Sequence, residues 1–235
     1  MFYYNDFVKY SEVDDKGELP LYGILEYFQN CINIHSLDIN KDFMSMNELG
    51  KAWVLLSWKI KIYKKVKLYD RVTVGTWSYG YDKVYGYRNY ILKDEQGEVL
   101  ACADTKWILI DLETRMPKRI EPEDLAGYAT GDKLDLGKSP RKIKLSEDRT
   151  EMEPVKVLRS YIDTNKHMNN TAYFRLAWEY IPEDLEFDTI DAVYNKETTQ
   201  GMTIIPVIHK EEKGMGISFE GADGTVYMTI KLYQE

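Results

Sequence analysis

Val8-Lys9-Tyr10-Ser11-Glu12-Val13-Asp14 and Val157-Leu158-Arg159-Ser160-Tyr161-Ile162-Asp163 carry one pattern twice: a valine, a serine, a β-branched residue and an aspartate at identical spacing. Asp14 placed over Asp163, an offset of 149 residues, sets Val8 on Val157, Ser11 on Ser160 and Val13 on Ile162. The stretches that follow stay in register. Ile24, Tyr27, Phe28, Cys31 and Ile32 are spaced i, i+3, i+4, i+7, i+8, and Tyr173, Leu176, Ala177, Tyr180 and Ile181 keep that spacing at the same offset. Each stripe is the buried face of an amphipathic helix. Pro20 suits the first turn of the first helix, and Asn169 or Asn170 can cap the second.

After each helix the composition turns β-like. Residues 53–67, 71–77, 85–93 and 98–110 are rich in Val, Ile, Trp and Tyr and are separated by glycine-bearing breaks. Asp94-Glu95-Gln96-Gly97 reads as one hairpin and Ala222-Asp223-Gly224 as another. Gly97 and Gly224 lie 127 residues apart, and Tyr63 and Tyr194 lie 131 apart. The shrinking offset places extra sequence in the first half, mostly between Gln29 and Ile62. Each half therefore reads as a strand, one long helix and a run of antiparallel strands. Residues 111–150, with Pro117, Pro122, Gly127, Gly131, Gly137 and Pro140, read as the connection. A helix wrapped by an antiparallel sheet covers the sheet's apolar face. That unit occurring twice predicts an α+β fold of two tandem hotdog repeats: residues 1–128, a linker at 129–150, and a second repeat at 151–235. Two unrelated α+β units would give much the same periodicity.

Bulk properties remove whole classes of function. Hydrophobic residues at 44% and charged ones at 30% are globular rather than disordered. A net charge of −8 argues against a general nucleic-acid binder, which needs a basic face for phosphates. No apolar run approaches the roughly 20 residues of a membrane span. Met1-Phe2-Tyr3-Tyr4-Asn5-Asp6 lacks the basic and apolar regions of a signal peptide. Two cysteines, Cys31 and Cys102, are too few for a disulfide framework, so a reducing cytoplasm is expected. The three histidines, His35, His167 and His209, form no cluster at zinc-ligand spacing.

The densest polar stretch is Ile162-Asp163-Thr164-Asn165-Lys166-His167-Met168-Asn169-Asn170. It sets a carboxylate, an amide and an imidazole at alternate positions, and an extended chain would turn Asp163, Asn165 and His167 to one side. The helix N-terminus that follows favours negative charge developing on an oxygen. A thioester carbonyl becoming tetrahedral needs that combination, donors for the oxyanion and a base for water. A capped polar turn with a surface histidine would read the same way.

Asp163-Thr164-Asn165-Lys166-His167-Met168-Asn169-Asn170, followed by Tyr173, resembles the D-x-N-x-H-x-N-N signature of acyl-acyl carrier protein (acyl-ACP) thioesterases of plants and bacteria. Tyr194-Asn195-Lys196-Glu197 resembles the family's Y-x-x-E strand. The first half is similar in Ile60-Lys61-Ile62-Tyr63, Thr76-Trp77, Arg88-Asn89-Tyr90, Ala103-Asp104-Thr105-Lys106-Trp107 and the segment at 111–120. The resemblance covers nearly the whole chain and keeps the motifs in order.

The resemblance implies hydrolysis of fatty acyl-ACP to free fatty acid, without metal or organic cofactor. Asn165 would bind the thioester carbonyl, His167 would move a proton or hold water, Glu197 would orient or assist as a base, and Asp163 would brace the loop. The choice of base between His167 and Glu197 stays open. Plant members commonly carry cysteine after the glutamate; here it is Thr198, so thiolate attack from that position is impossible and direct water attack is expected. Strand alternation would turn Thr198 away from a pocket faced by Glu197, making Thr198→Ala nearly silent. At offset 149, Asn165 and His167 meet Lys16 and Glu18, and at offset 131 Glu197 meets Val66. One active site per chain follows, with acyl-chain selection assigned by resemblance to the first half.

Rival readings are an acyl-CoA thioesterase on the same fold, a non-catalytic acyl-binding protein, and a double-hotdog hydratase. The last is disfavoured because its histidine follows the aspartate by five positions, against four here. Cys31 lies in the helix stripe and reads as an inert core thiol, His35 could favour its helix C-terminus, and His209 reads as a strand or surface histidine. Basic stretches at 59–71, 115–119 and 138–144 read as solvated faces, one of which, the third before the others, could dock an acidic carrier protein. Monomer and homodimer both fit.

Overall fold

Long runs of β-branched and aromatic residues build most of the structure, a computed structural model in which residues 1–137 and 139–235 are described. The chain divides into two compact units, Met1–Leu56 with Ile60–Ser139, and Ser57–Lys59 with Pro140–Glu235.

In the first unit β1 (Phe2–Phe7) leads through a 3₁₀ turn to α1 (Leu21–Asp38) and α2 (Phe43–Glu48). β2 (Lys51–Ile62), β3 (Arg71–Asp82), β4 (Tyr85–Lys93), β5 (Val99–Asp111) and the short α3 (Pro122–Leu125) follow. The sheet runs in the order β1-β3-β4-β5-β2. β2 stops at Ile62, short of the expected residue 67, because residues 63–70 turn: Tyr69 sits at φ 70°. α1 begins directly after Pro20 and buries Ile24, Leu25, Tyr27, Phe28 and Cys31 against the sheet. Phe28 lies 5.3 Å from Tyr90, and the Cys31 thiol reaches the Val74 carbonyl at 3.7 Å. Burying each large side chain of this stripe contributes about 1.5–3 kcal/mol.

The second unit holds β6 (Arg149–Glu151), β7 (Val155–Lys156), a 3₁₀ turn, α4 (Asn170–Trp178), β8 (Thr189–Tyr194), β9 (Thr203–Lys210), β10 (Met215–Glu220) and β11 (Val226–Tyr233). Its strand order is β8-β11-β10-β9-β6, with β7 also on β9. β6 and β7 stand where β1 stands in the first unit, and Pro154, lacking an N–H for the ladder, lies between them. The expected hairpins link β4 to β5 and β10 to β11, with Gly97 at φ 83° and Gly224 at φ 80° supplying the left-handed residue each turn needs.

One expectation fails here. The second helix is not long: α4 has 9 residues against 18 in α1. Past Trp178 the backbone tightens, with Glu179, Tyr180 and Ile181 donating to carbonyls three residues back. Ile181 precedes Pro182, which disfavours helical geometry there. Tyr180 and Ile181 therefore lie beyond the helix and only half-buried.

The stretch between the halves is not slack. Leu134 and Leu136 pack on Trp77, Ile91 and Cys102 of the first unit's sheet. Beneath them Asp104, almost fully buried, accepts from the Tyr79 hydroxyl at 2.7 Å, the Ser139 hydroxyl at 2.7 Å and the Asn89 amide at 3.3 Å. The Asn89 side-chain oxygen Oδ1 in turn accepts from the Leu134 N–H at 2.9 Å. Burial holds the Asp104 carboxyl above the usual carboxylate range, partly offset by those two hydroxyls. Asp104→Ala leaves the donors without an acceptor and should lower stability by about 1–3 kcal/mol in chemical denaturation; an unshifted midpoint would show that the strap is held by its leucines alone.

Candidate active site

The polar stretch at 163–167 is a closed turn, not the extended segment that alternation predicted. Asp163 turns its carboxylate back on the chain, accepting from the backbone N–H of Asn165 at 2.8 Å and of His167 at 3.3 Å. The Asp163 N–H donates to the His167 carbonyl at 2.9 Å, and the Lys166 N–H to the Asp163 carbonyl at 3.0 Å. A short acidic side chain competing for nearby amides causes this geometry. Lys166 adopts φ 63° to complete it, a left-handed conformation that costs a lysine about 1–3 kcal/mol. A bridge between Ile162 and Met168 seals the base of the turn.

The turn is then anchored at two points. The Met168 N–H donates to the Thr198 carbonyl at 2.9 Å, and the Asn169 N–H to the Tyr161 carbonyl at 2.8 Å. Asn169 caps α4, its side chain accepting from the Thr171 N–H at 2.9 Å. That cap occupies one of the helix donors expected to face an oxyanion.

The Met168–Thr198 hydrogen bond brings two distant residues together. β8 ends at Tyr194, so Glu197 and Thr198 lie on the loop beyond it rather than on a strand. The His167 Nε2 stands 3.2 Å from a Glu197 carboxylate oxygen, with 24% and 41% of their side chains exposed, so bulk water reaches the pair. Asn165 is exposed, and its side-chain amide has no hydrogen-bond partner among the described residues. Thr198, by contrast, is 1% exposed, and its hydroxyl lies 2.9 Å from that of Tyr173 on α4. Alternation overlooked this contact.

The first unit repeats the construction without the same side chains. Asp14 accepts from the N–H of Lys16 at 3.0 Å and of Glu18 at 2.9 Å, and Gly17 takes the left-handed position at φ 72°. The Leu19 N–H donates to the Val66 carbonyl at 2.8 Å, as Met168 does to Thr198. Tyr69 donates to Val8 as Gly201 does to Val157, and both lie in the left-handed region. Tyr63 and Lys64 share the Leu100 carbonyl as Asn195 and Lys196 share that of Tyr227. In this loop the backbone offset is 132, as from Val66 to Thr198, so matching Tyr63 to Tyr194 was one residue out of register. The counterpart of Glu197 is Lys65, not Val66. Lys65 meets the Glu18 carboxylate at 2.7 Å, an ion pair where the second unit has His167 and Glu197.

Of the other histidines, His35 departs from its expected role and His209 takes the strand position, one of its two readings. His35 is buried rather than capping α1: it stacks on Phe2 at 4.7 Å and accepts from the Ala129 N–H at 3.3 Å. Burial, with the Arg88 guanidinium nearby, pulls its imidazole down to about 4, so it is neutral near pH 7. His209 is a buried strand residue, with Nδ1 2.8 Å from the Ser146 carbonyl and Nε2 2.9 Å from the Ser218 hydroxyl. Ser218 donates to Glu220 at 2.6 Å, and Arg149 closes the chain on that carboxylate at 3.1 Å. Cys31 and Cys102 are buried thiols, pushed up to about 12 and about 11 by burial. Among the described residues no group of three His, Cys, Asp or Glu side chains could hold a metal ion.

The model of the acyl-ACP thioesterase N-terminal domain matches residues 2–128, and that of the C-terminal domain matches residues 144–229. The chain belongs to the acyl-ACP thioesterase family. Among curated relatives, oleoyl-acyl carrier protein thioesterase 2, chloroplastic, of Arabidopsis thaliana is 29% identical over 193 residues, 72% of this chain and 52% of its own. This chain thus spans about half the length of that family member. A solved acyl-ACP thioesterase from Bacteroides thetaiotaomicron is 21% identical and superposes with a TM-score of 0.88 over 99% of this chain and 97% of that one. The 12:0-ACP thioesterase from Umbellularia californica, 15% identical, gives 0.82 over 99% and 96%. These likenesses establish the fold as the family's tandem hotdog.

The Asp14 and Asp163 carboxylates do the same backbone work. Asp14→Ala and Asp163→Ala should each cost about 1–2 kcal/mol in urea unfolding; a loss confined to one of them would show that the two turns are not held alike.

Proposed function

We propose that this chain hydrolyses the thioester of a fatty acyl-ACP by direct water attack at one site in its second unit. The contact that carries the reading is His167 Nε2 to Glu197 at 3.2 Å, beside an Asn165 amide with no partner among the described residues. In this reading the His167–Glu197 pair takes a proton from water, whose oxygen bonds to the thioester carbon. The Asn165 amide donates to the oxyanion of the tetrahedral intermediate. Its collapse breaks the carbon–sulfur bond, releasing fatty acid, and the thiolate takes the proton. Asp163 holds the turn that aims Asn165 and His167.

A covalent acyl-enzyme is disfavoured by the remaining nucleophiles. The Thr198 hydroxyl is buried against Tyr173, and both thiols are buried and raised. The Glu18–Lys65 ion pair argues for one site per chain, since it has neither the imidazole nor the free amide. Two free buried cysteines suit a reducing compartment such as the cytoplasm; no helix among the described residues is long and apolar enough to cross a membrane.

His167→Ala, Asn165→Ala and Glu197→Gln should each lower turnover of acyl-ACP by ~10²-fold or more, while Lys16→Ala and Glu18→Ala should stay within a few-fold of wild type. Equal losses from both sets would overturn the single-site reading. Acid quench and mass spectrometry should trap no acyl adduct. Turnover of ACP and CoA thioesters of one acyl chain separates the leading reading from an acyl-CoA thioesterase, and binding without turnover would identify an acyl-binding protein.

The basic stretch at 138–144 is the candidate carrier-protein dock, supported by the ion pairs that occupy several cations of the other two stretches. Lys64, Lys65 and Arg71 pair with Glu98, Glu18 and Glu95, and Lys118 with Asp111. Arg141, Lys142 and Lys144 are exposed, and among the described residues no carboxylate pairs with them; Lys138, the first of that stretch, lies outside the described residues. Reversing two of these three charges should raise KM for acyl-ACP and leave a small thioester unaffected. Raising salt should act alike, since exposed charges are screened over about 10 Å at 0.1 M. A KM unmoved by both treatments would reduce the patch to solvated surface.

A further inference from the structure

The buried hydroxyl pair of Tyr173 and Thr198 stands at the junction of the segments that carry His167 and Glu197. Thr198 follows Glu197 in the chain. Its carbonyl accepts from the N–H of Met168, the residue after His167, at 2.9 Å. Its hydroxyl, 2.9 Å from the Tyr173 hydroxyl, reaches the first turn of α4. Tyr173 is itself wedged in place, 5.5 Å from the ring of Phe219 and 6.1 Å from that of Tyr194. One residue thus ties the glutamate's loop to the histidine's turn through its backbone and to the helix through its side chain.

The first unit supplies an internal control. Val66 stands at the position of Thr198 and makes the same backbone bond, accepting from Leu19 at 2.8 Å. Ile24 stands at the position of Tyr173, and both are buried, at 1% and 3% exposure. The first unit therefore carries two buried apolar side chains at this junction, where the paired residues are Glu18 and Lys65. A buried hydroxyl pair adds little stability over an apolar pair of matching shape, so stability does not explain why the second unit carries one. We infer that the Tyr173–Thr198 hydrogen bond is a positioning device that holds Glu197 against His167. This rests on the active site proposed above. A hydrogen bond fixes direction as well as distance, whereas apolar packing constrains volume without setting the angle at which the two side chains meet. Misplacement of a catalytic group by about 1 Å can cost up to 10²-fold. The phenol of Tyr173, pushed up to about 12 mainly by burial, also senses the Glu197 charge.

This reverses the expectation that position 198 is silent. Thr198→Val, which installs the first unit's own residue, should fold with a melting temperature close to wild type. Its kcat for a thioester substrate should fall about tenfold, with KM within twofold. Thr198→Ser, which restores the hydroxyl, should recover most of kcat. Tyr173→Phe should reproduce the loss, and the double variant should be no worse than either single one, because both remove the same bond. A folded Thr198→Val protein with full kcat, beside an inactive His167→Ala, would overturn the positioning role alone. Losses that add in the double variant, or that Thr198→Ser does not repair, would overturn it in favour of simple packing. Retained kcat in His167→Ala would overturn the active site itself.

Discussion

The turn that Asp163 closes on itself is the constraint on which the rest of the site depends. Its carboxylate accepts two backbone N–H groups within four residues, which forces Lys166 into a left-handed conformation. It also delivers Asn165 and His167 at a set angle ahead of α4. The same turn presents the Met168 N–H to Thr198, and that one backbone bond draws Glu197 from a loop beyond β8 to within reach of the imidazole. Without the turn, the motif residues would share a segment of sequence but no common geometry.

Duplication separates what the fold requires from what chemistry requires. Asp14 makes the same turn, Gly17 takes the left-handed position at no steric cost, and Leu19 docks on Val66 as Met168 docks on Thr198. These backbone bonds survive in the first unit, but the Asn169–Tyr161 anchor does not, because Pro20 stands in its place and has no N–H to donate. The side chains do not survive: an ion pair replaces the imidazole and carboxylate, and Val66 and Ile24 replace two hydroxyls. At this junction the left-handed lysine and the buried hydroxyl pair belong to the unit that carries His167 and Asn165, while in the loop beyond it the left-handed residue is Tyr69 in the first unit and Gly201 in the second.

Each unit also covers the outer face of its sheet with part of the intervening segment, and each does so over buried polar groups. In the first unit Asp104 and Asn89 hold residues 134 and 139. In the second, His209 meets the Ser146 carbonyl, and Leu145 lies over Gly216, where a Cβ would come within 2.6 Å of it. Buried polar groups demand partners at set angles, so they fix where these straps lie more sharply than leucines could.

Much of this architecture is written in local sequence. The repeat, the first amphipathic stripe and the start of the second, the two glycine hairpins and the Asn169 cap follow from periodicity and turn chemistry, because those effects act over a few residues. The motif from Asp163 to Asn170 likewise announces a polar site. What tertiary structure alone decided are the quantities that depend on pairing between segments far apart. Two similar tyrosines, Tyr63 and Tyr194, misplace the register by one residue, since backbone ladders rather than side-chain likeness set it. The length of α4 follows from where Pro182 and the returning chain end it, and the burial of His35 and His209 from what packs over them. The partner of Glu197 in the first unit, Lys65, and the contact between Thr198 and Tyr173 emerge only when the loop beyond β8 closes on the turn. Sequence could name candidate residues; only long-range backbone hydrogen bonds could set the distances between them.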